Sequence, residues 1–352
     1  MATIKDVAVL AGVSIGTVDR VLNDRGRVAP ETLRRVRHAI SELDYTPNLT
    51  ARHLSKAKTY TFGVMMPHEG QDCGYWELPR SGIARAARDL AFHNVHARHF
   101  NFNRHSSASF EECCRHVRES YLDGLVLAPV LSHPAERFLA SIHKERGIPA
   151  VLFDSHVEAG GRFTFVGQDP FNSGLVAGKL LKILRRRGTI YAVVTVGTDD
   201  YHLARRGEGF CHFFRDDHTV EIHSIELVPG EGRDPAEELS RFLAPIMEDL
   251  GGVFVTNALS HFVVGYLETG GPPHHVPLVS YDLIPQNVEY LRRGIIDFVI
   301  SQEPETQGYQ AMYELYRQVV LGSEAAEVIA MPIELVTGEN LDSYLQARLT
   351  ES

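Results

Sequence analysis

Apolar residues near the start of the chain recur at the spacing of an amphipathic helix in three short stretches. Gly12 ends the first stretch, Ser14 is a suitable N-cap for the second, and Pro30 suits the first turn of the third. The apolar positions are Ile4, Val7, Ala8 and Ala11, then Val18, Val21 and Leu22, then Leu33, Val36, Ile40 and Leu43. The pattern predicts three helices around one small core, with a tight turn between the first two.

From residue 60 onward, short runs of apolar and often β-branched residues alternate with amphipathic stretches. Representative runs are residues 61–66, 124–127, 150–153, 190–194, 253–255 and 276–279. Continuous apolar runs separated by helices are typical of parallel sheets that are covered on both faces. The sequence therefore predicts an α/β protein with an additional helical segment at its N-terminus.

The helical segment has the pattern of a helix-turn-helix unit, in which the second helix enters the major groove of DNA. Residues 1–60 contain 10 Lys and Arg against 6 Asp and Glu, a net charge of +4, whereas the remainder carries 25 against 39, a net charge of −14. A basic segment joined to an acidic one indicates that the first segment binds a polyanion. A three-helix bundle that does not bind DNA is the alternative.

The first 48 residues resemble the headpiece of the lactose-repressor (LacI) family at residues 3–8, 11–14, 17–18, 20–23, 28–32 and 45–48. The remaining residues resemble the periplasmic-binding-protein fold that LacI-family sensors share, in which two lobes are joined by three crossings and a ligand binds between them. The resemblance implies a headpiece at 1–46, a hinge helix and linker at 47–59, a first lobe at 60–166 with about 298–326, and a second lobe at 167–297 with about 327–352.

The resemblance also implies which residues meet DNA. They are Ser14, Ile15, Gly16, Thr17, Arg20, Asn23, Ala51 and Leu54. Arg20 can donate two hydrogen bonds to a guanine, whereas Ile15 offers only apolar contact and Gly16 has no side chain. Leu54 lies at the family's minor-groove wedge position, which unstacks a base step; by composition alone it would be a core leucine. Asp19 stands where many members carry Ser, so the resemblance does not predict the operator sequence.

Candidate ligand residues follow the predicted strands, because ligands of open α/β sheets bind beyond the carboxyl ends of the strands. They are Gln71, Asp72, Tyr75, Trp76, Asp154, Gln168, Asp169, Arg206, Asn257, Asp282 and Gln302. Planar hydrogen-bonding groups and aromatic rings suit the hydroxyls and C–H surface of a sugar or polyol. Arg206 and Asp282 match pocket residues of the family, and Ala258 departs from it, since Asp is common there. Each candidate could instead be an ordinary polar loop residue.

An enzyme is one alternative, but no catalytic motif with a known mechanism is present. We therefore expect neither catalytic residues nor a cofactor. His93, His96 and His99 are spaced by three, yet their segment passes from helix to strand, which would separate them. The four cysteines form no CxxC pair, so we expect no metal site.

A periplasmic solute-binding protein is the second alternative, since the larger part has that fold. It would need an export signal, and Lys5 and Asp6 interrupt the first apolar residues. We expect instead a cytoplasmic, nucleoid-associated repressor with no membrane segment, which binds palindromic operator DNA. Residues 341–345 show no clear heptad extension, so a homodimer is favoured over a tetramer.

Overall fold

The computed structural model describes residues 4–22, 28–43, 58–159, 163–197, 200–229, 234–272 and 274–351. The chain divides into two compact units, residues 1–58 and 59–352. Three residues of the expected DNA interface, Asn23, Ala51 and Leu54, lie outside the described residues, as does nearly all of the expected hinge segment.

The first unit contains the three predicted helices, α1 (Ile4–Ala11), α2 (Ile15–Leu22) and α3 (Pro30–Glu42). Their shared core consists of Val7, Ala8, Ala11, Val18, Val36 and Ala39. The turn between α1 and α2 begins at Gly12, whose φ of +61° lies in the left-handed region that glycine adopts without steric cost. These contacts fix α2 against α1 and α3, and the predicted helices are confirmed.

The second unit alternates strands and helices along the chain. The elements are β1 (Tyr60–Pro67), α4 (Glu77–Leu90), β2 (Val95–Phe102), α5 (Ser107–Glu119), β3 (Gly124–Leu127), α6 (Ser132–Arg146), β4 (Ala150–Phe153), β5 (Thr164–Gln168), α7 (Pro170–Leu184), β6 (Ile190–Val196), α8 (Tyr201–Phe213), β7 (Glu221–Leu227), α9 (Pro235–Leu243), β8 (Leu250–Val255), α10 (His261–Gly270), β9 (Leu278–Tyr281), α11 (Pro285–Arg292), β10 (Phe298–Ser301), α12 (Pro304–Val319), β11 (Val328–Met331), β12 (Glu334–Val336) and α13 (Leu341–Glu351). The predicted α/β class is confirmed.

The strands form two six-stranded sheets, one in each lobe. The first has the order β11-β5-β4-β3-β1-β2, with every neighbouring pair parallel. The second has the order β12-β10-β9-β8-β6-β7 and is parallel except for β12, which runs antiparallel to β10. All residues of β3, β4 and β8 are buried, which explains why these strands are continuous apolar runs. Among the described residues, no helix has the length and apolar character needed to cross a bilayer.

The chain passes between the lobes after β5, after β10 and after β11. The expected boundaries of the later crossings were wrong. Residues 298–301 form β10 beside β9 in the second sheet, and residues 328–331 form β11 beside β5 in the first. Of the segment that was expected to return to the first lobe, about residues 298–326, only α12 packs on that lobe. A short β-branched run can join either sheet, and long-range strand pairing decides which.

Gln168 joins the three crossings to one another. It is the last residue of β5, and its side-chain Nε2 donates to the carbonyl of Ser301 at 3.1 Å and to that of Pro332 at 2.8 Å. Ser301 ends β10 and Pro332 follows β11. The lobes are therefore connected by a hydrogen-bonded hinge rather than by three independent strands.

Candidate functional site

One face of α2 is exposed and carries the residues expected to read bases. Ile15, Gly16 and Arg20 are exposed, whereas Val18 faces the core. A Cβ at Gly16 would meet nothing nearer than Ser14 Oγ at 3.9 Å, so the surface there is open. Arg20 Nε donates to the Gly16 carbonyl at 3.1 Å, which lays the side chain along the helix surface. The described part of the first unit thus presents the face that a recognition helix needs.

Ser14 and Thr17 lie together at the start of α2. Ser14 Oγ accepts a hydrogen bond from the backbone N–H of Thr17 at 3.2 Å, and the two hydroxyls are 2.9 Å apart. The predicted N-cap is therefore confirmed. Both hydroxyls lie beside the positive end of the helix, where backbone N–H groups favour an anion such as a DNA phosphate.

A small cavity of about 20 Å³ lies between the two lobes of the second unit. Its lining residues are Asp72, Tyr75, Trp76, Arg104, Asp154, His202, Leu203, Arg206, Asn257, Ala258, Leu259, Asp282 and Gln302. Eight of the eleven predicted ligand residues are in this set. The cavity has room for about one water molecule, so the cleft between the lobes is closed in this structure.

Arg206, on α8, lines the cavity with its guanidinium. Its side chain is almost fully buried. Nη1 donates to the Thr256 carbonyl and Nη2 to Gln302 Oε1, each at 2.8 Å. The guanidinium carbon lies 3.7 Å from the centre of the Tyr281 ring, a cation–π contact. These interactions hold the guanidinium plane in one orientation against the cavity.

Gln302 connects carboxylates of both lobes. Its Nε2 donates to Tyr75 Oη at 2.8 Å and to Asp282 Oδ2 at 2.9 Å, and its backbone N–H donates to Asp282 Oδ1 at 3.2 Å. The Tyr75 hydroxyl in turn donates to Asp154. Asp154 and Asp282 are thus bridged by neutral donors rather than by a cation. A hydroxyl-bearing ligand could replace these donors.

The environment of the two carboxylates favours their neutral form. Burial raises the pKa of Asp282 to about 6 and also raises the pKa of Asp154. Burial, with the nearby charge of Asp154, raises the pKa of Tyr75 as well. Both aspartates have positive φ angles, +68° at Asp154 and +54° at Asp282, which are uncommon outside glycine. Each backbone turns sharply where its strand ends, and this turn directs the carboxyl group into the cleft.

The sequence analysis missed a charged cluster centred on Arg104 and Asp200. Arg104 Nη1 donates to Asp72 Oδ2 at 2.5 Å, and Nη2 lies 3.5 Å from Asp200 Oδ2. Asp200 also accepts a hydrogen bond from Ser155 Oγ at 3.0 Å and lies 2.7 Å from His202 Nδ1. Burial opposes ionisation of Asp200, but His202 and Arg104 outweigh it and lower the pKa of Asp200. Arg104 follows β2 as other site residues follow their strands, but β2 contains several polar residues and is not a continuous apolar run.

Three of the predicted ligand residues lie outside the cavity lining. Gln71 supports the loop after β2, because its Nε2 donates to Asn103 Oδ1 at 2.7 Å and its Oε1 accepts from the Arg104 N–H at 3.1 Å. Asp169 is exposed and caps α7, accepting from the Asn172 N–H at 3.0 Å. Gln168 lies in the hinge described above. Gln71 and Gln168 thus hold backbone near the site, and Asp169 only caps a helix.

The three histidines that are spaced by three point in different directions. His93 ends a 3-10 turn (Ala91–His93), and its Nδ1 lies 3.1 Å from Tyr316 Oη. His96 and His99 belong to β2, where residues three apart face opposite sides of the sheet. They do not form a common ligand set.

Comparison with known proteins matches both units to families. The model for bacterial regulatory proteins of the lacI family matches residues 3–48, and the model for the periplasmic binding protein domain matches residues 62–324. The chain belongs to the lacI family of bacterial regulatory proteins, with a periplasmic-binding-protein domain as its larger unit.

Individual relatives agree with this assignment. Catabolite control protein B of Bacillus subtilis is 36% identical over 136 residues, which are 38% of this chain and 41% of that protein. The matches to the first curated relatives span about two fifths of their length.

Two solved structures resemble the chain over most of its length. A protein from Bacteroides fragilis described as a LacI transcriptional regulator has a TM-score of 0.75 at 26% identity, and the match covers 82% of this chain and 100% of that one. The transcriptional regulator CelR in complex with cellobiose has a TM-score of 0.63 at 20% identity, covering 96% of this chain and 99% of that one. The latter shows the fold alone.

Proposed function

We propose that this protein is a transcription repressor that binds palindromic operator DNA as a cytoplasmic homodimer. A sugar or sugar derivative, bound between the lobes of the second unit, changes its affinity for that DNA. The observation that carries this proposal is the interlobe cavity, where eight predicted ligand residues converge in a chain that also contains a helix-turn-helix unit. The homodimer and the palindrome are proposed together, since a two-fold protein matches a two-fold operator.

The chemistry of the cavity supports a sugar. Arg206, Asn257 and Gln302 supply planar donors, and Asp154 and Asp282 supply acceptors, so hydroxyls can be bound in both directions. Aromatic rings at Tyr75 and Trp76 offer faces or edges to C–H groups. The CelR structure, which contains cellobiose, is a precedent for a saccharide ligand in this fold. Gln71 and Gln168 belong to the proposal only as supports for the backbone around the site, and Asp169 does not belong to it.

The closed cleft supports coupling between ligand and conformation. A cavity of about 20 Å³ cannot admit a sugar ring, so binding requires the lobes to part or their side chains to rearrange. A ligand that binds two conformations unequally shifts the balance between them. In a dimer, such a shift would change the spacing of the two DNA-binding units and hence the affinity for two half-sites.

The test is to select duplexes from a random DNA pool with the full chain and to screen sugars and polyols by thermal shift. We expect enrichment of an inverted repeat and stabilisation by at least one carbohydrate. A solute-binding protein would be stabilised by sugar without enriching DNA, and an enzyme would convert the carbohydrate to product. Failure to enrich any DNA sequence would contradict the proposal.

A further inference from the structure

A second and larger depression lies beside the interlobe cavity, and we refer to it as the outer groove. It has a volume of about 740 Å³ and is lined from the first lobe by Ser132 and His156 and from the second by Thr195 and Tyr201, among others. The side chain of Leu203 lines both the outer groove and the inner cavity. The two spaces are therefore neighbours along the same cleft.

The lining of the outer groove is rich in acidic residues. Four carboxylates line it, from Glu136, Glu158, Asp200 and Glu226, and no Lys or Arg is among those of its lining residues that the structure describes. Burial lowers the pKa of His156, which favours the uncharged imidazole. Arg104 offsets the charge of Asp200, and the three glutamates would repel an anionic ligand. The described lining thus favours an uncharged sugar over a phosphorylated or carboxylated one.

The remaining lining suits a neutral sugar ring. His156 and Tyr201 pack edge to face with their ring centres 6.1 Å apart, and Tyr201 is partly exposed at 37%. Hydroxyl groups of Ser132, Thr195 and Ser224 also line the groove. An aromatic surface beside hydroxyl and carboxylate acceptors matches the C–H faces and hydroxyls of a pyranose. The volume is within the range of small-molecule sites, roughly 300 to 1,000 Å³.

Resting on the proposed function, we infer that the effector is an uncharged saccharide of at least two units. One unit binds among Arg206, Asp282 and their neighbours once the inner cavity has opened, and the next passes Leu203 into the outer groove. The inner residues recognise one ring, and the outer groove sets the length of the ligand. A monosaccharide would occupy only the inner part of this site.

The test uses the full chain and calorimetric titration of matched probes. The probes are glucose, galactose, mannose and xylose, their α- and β-linked disaccharides, and the same disaccharides carrying a phosphate or a carboxylate on one ring as anionic controls. We expect one neutral disaccharide to bind at least 10-fold more tightly than its monosaccharide, and the anionic disaccharides to bind at least 10-fold more weakly than their neutral parents.

A groove-filling variant separates length recognition from general binding. Ala204 lines the outer groove at an exposed position of α8, so Ala204→Trp fills the groove without disturbing the core. Cys211→Trp, at an exposed position of the same helix outside the groove, is the matched control. We expect Ala204→Trp to weaken disaccharide binding at least 10-fold and Cys211→Trp to leave it unchanged.

The contradicting outcomes differ from one another. A monosaccharide that binds as tightly as any disaccharide, and equally to Ala204→Trp, would overturn the two-unit inference and leave the proposed function standing. Preference for an anionic sugar would overturn the charge argument. If no carbohydrate of any length binds while the chain still selects DNA, the sugar effector itself is wrong, and the inference falls with it.

Discussion

The guanidinium of Arg104, in the first lobe, lies 3.5 Å from the carboxylate of Asp200, in the second lobe. Both side chains are buried, and Ser155 of the first lobe also donates to Asp200. Arg104 also donates a hydrogen bond to Asp72 of its own lobe. The contact therefore connects the lobes in the closed form, and opening the cleft must break it.

Asp200→Asn should favour the open cleft. Removing one partner of a buried ion pair typically costs about 3 to 5 kcal/mol, and much of that cost falls on the closed state. Small-angle X-ray scattering should show a larger radius of gyration for the variant than for the wild type. Asp216→Asn, at an exposed ion pair, is the control and should leave the radius unchanged. Identical scattering for all three proteins would show that Asp200 does not hold the lobes together.

Trp76 should report the state of the cleft. It is the only tryptophan in the sequence, is 1% exposed, and donates through Nε1 to Asp72 at 2.7 Å. Because Asp72 holds Arg104, opening changes the surroundings of the indole. An effector should shift or quench the emission saturably, and Arg206→Ala should weaken this response. An effector that binds by calorimetry without any change in emission would remove Trp76 from the site.

Asp282 should make stability depend on pH in the direction opposite to that of an ion-paired carboxylate. Its pKa in the folded protein is about 6, above the ordinary 3.8, so the folded state retains its proton over a range where the unfolded state has lost it. Its contribution to the free energy of unfolding therefore falls as pH rises from about 4 to 6, by roughly 3 kcal/mol. Asp282→Asn should abolish that part of the dependence in urea titrations at pH 4 and pH 7. An unchanged difference between the two pH values would contradict this prediction.

Arg20→Ala should weaken binding only to the selected operator. Arg20 is on the exposed face of α2, where a guanidinium can contact a guanine edge. We expect a loss of about 1 to 3 kcal/mol on the cognate sequence and little change on random duplexes. Gel-shift titrations on both kinds of DNA measure this. An equal loss on every sequence would make Arg20 a phosphate contact.

The sequence predicted an element or a site residue best where a single local pattern determines it. Helical periodicity located α1 to α3, and the position after a strand located Asp154, Asp282 and Gln302, whereas Arg206 lies within α8 and was located by its match to the family. The same rule failed for Arg104 because β2 is an edge strand that contains polar residues such as His96 and Arg98, so it is not an apolar run. The sheet assignments of β10 and β11 depend on long-range pairing, which a local pattern does not contain.

The sequence also did not show which groups the side chains of Gln168 and Asp169 contact. Gln168 ends β5 and Asp169 follows it, as lining residues end or follow other strands, but β5 leads into a crossing and the start of a helix. Gln168 therefore satisfies carbonyls of the other crossings, and Asp169 caps α7. A position after a strand indicates the edge of the sheet where a side chain lies, and the packing around it decides what it contacts.

The central claim is that ligand binding between the lobes changes affinity for DNA. The direct measurement is fluorescence anisotropy of a labelled duplex carrying the selected inverted repeat, titrated with the full chain with and without the carbohydrate that stabilises it. Coupling between two sites on one protein is typically about 1 to 3 kcal/mol, so we predict a change in Kd of roughly 5- to 150-fold. The same Kd in the presence and absence of a saturating carbohydrate would contradict the account.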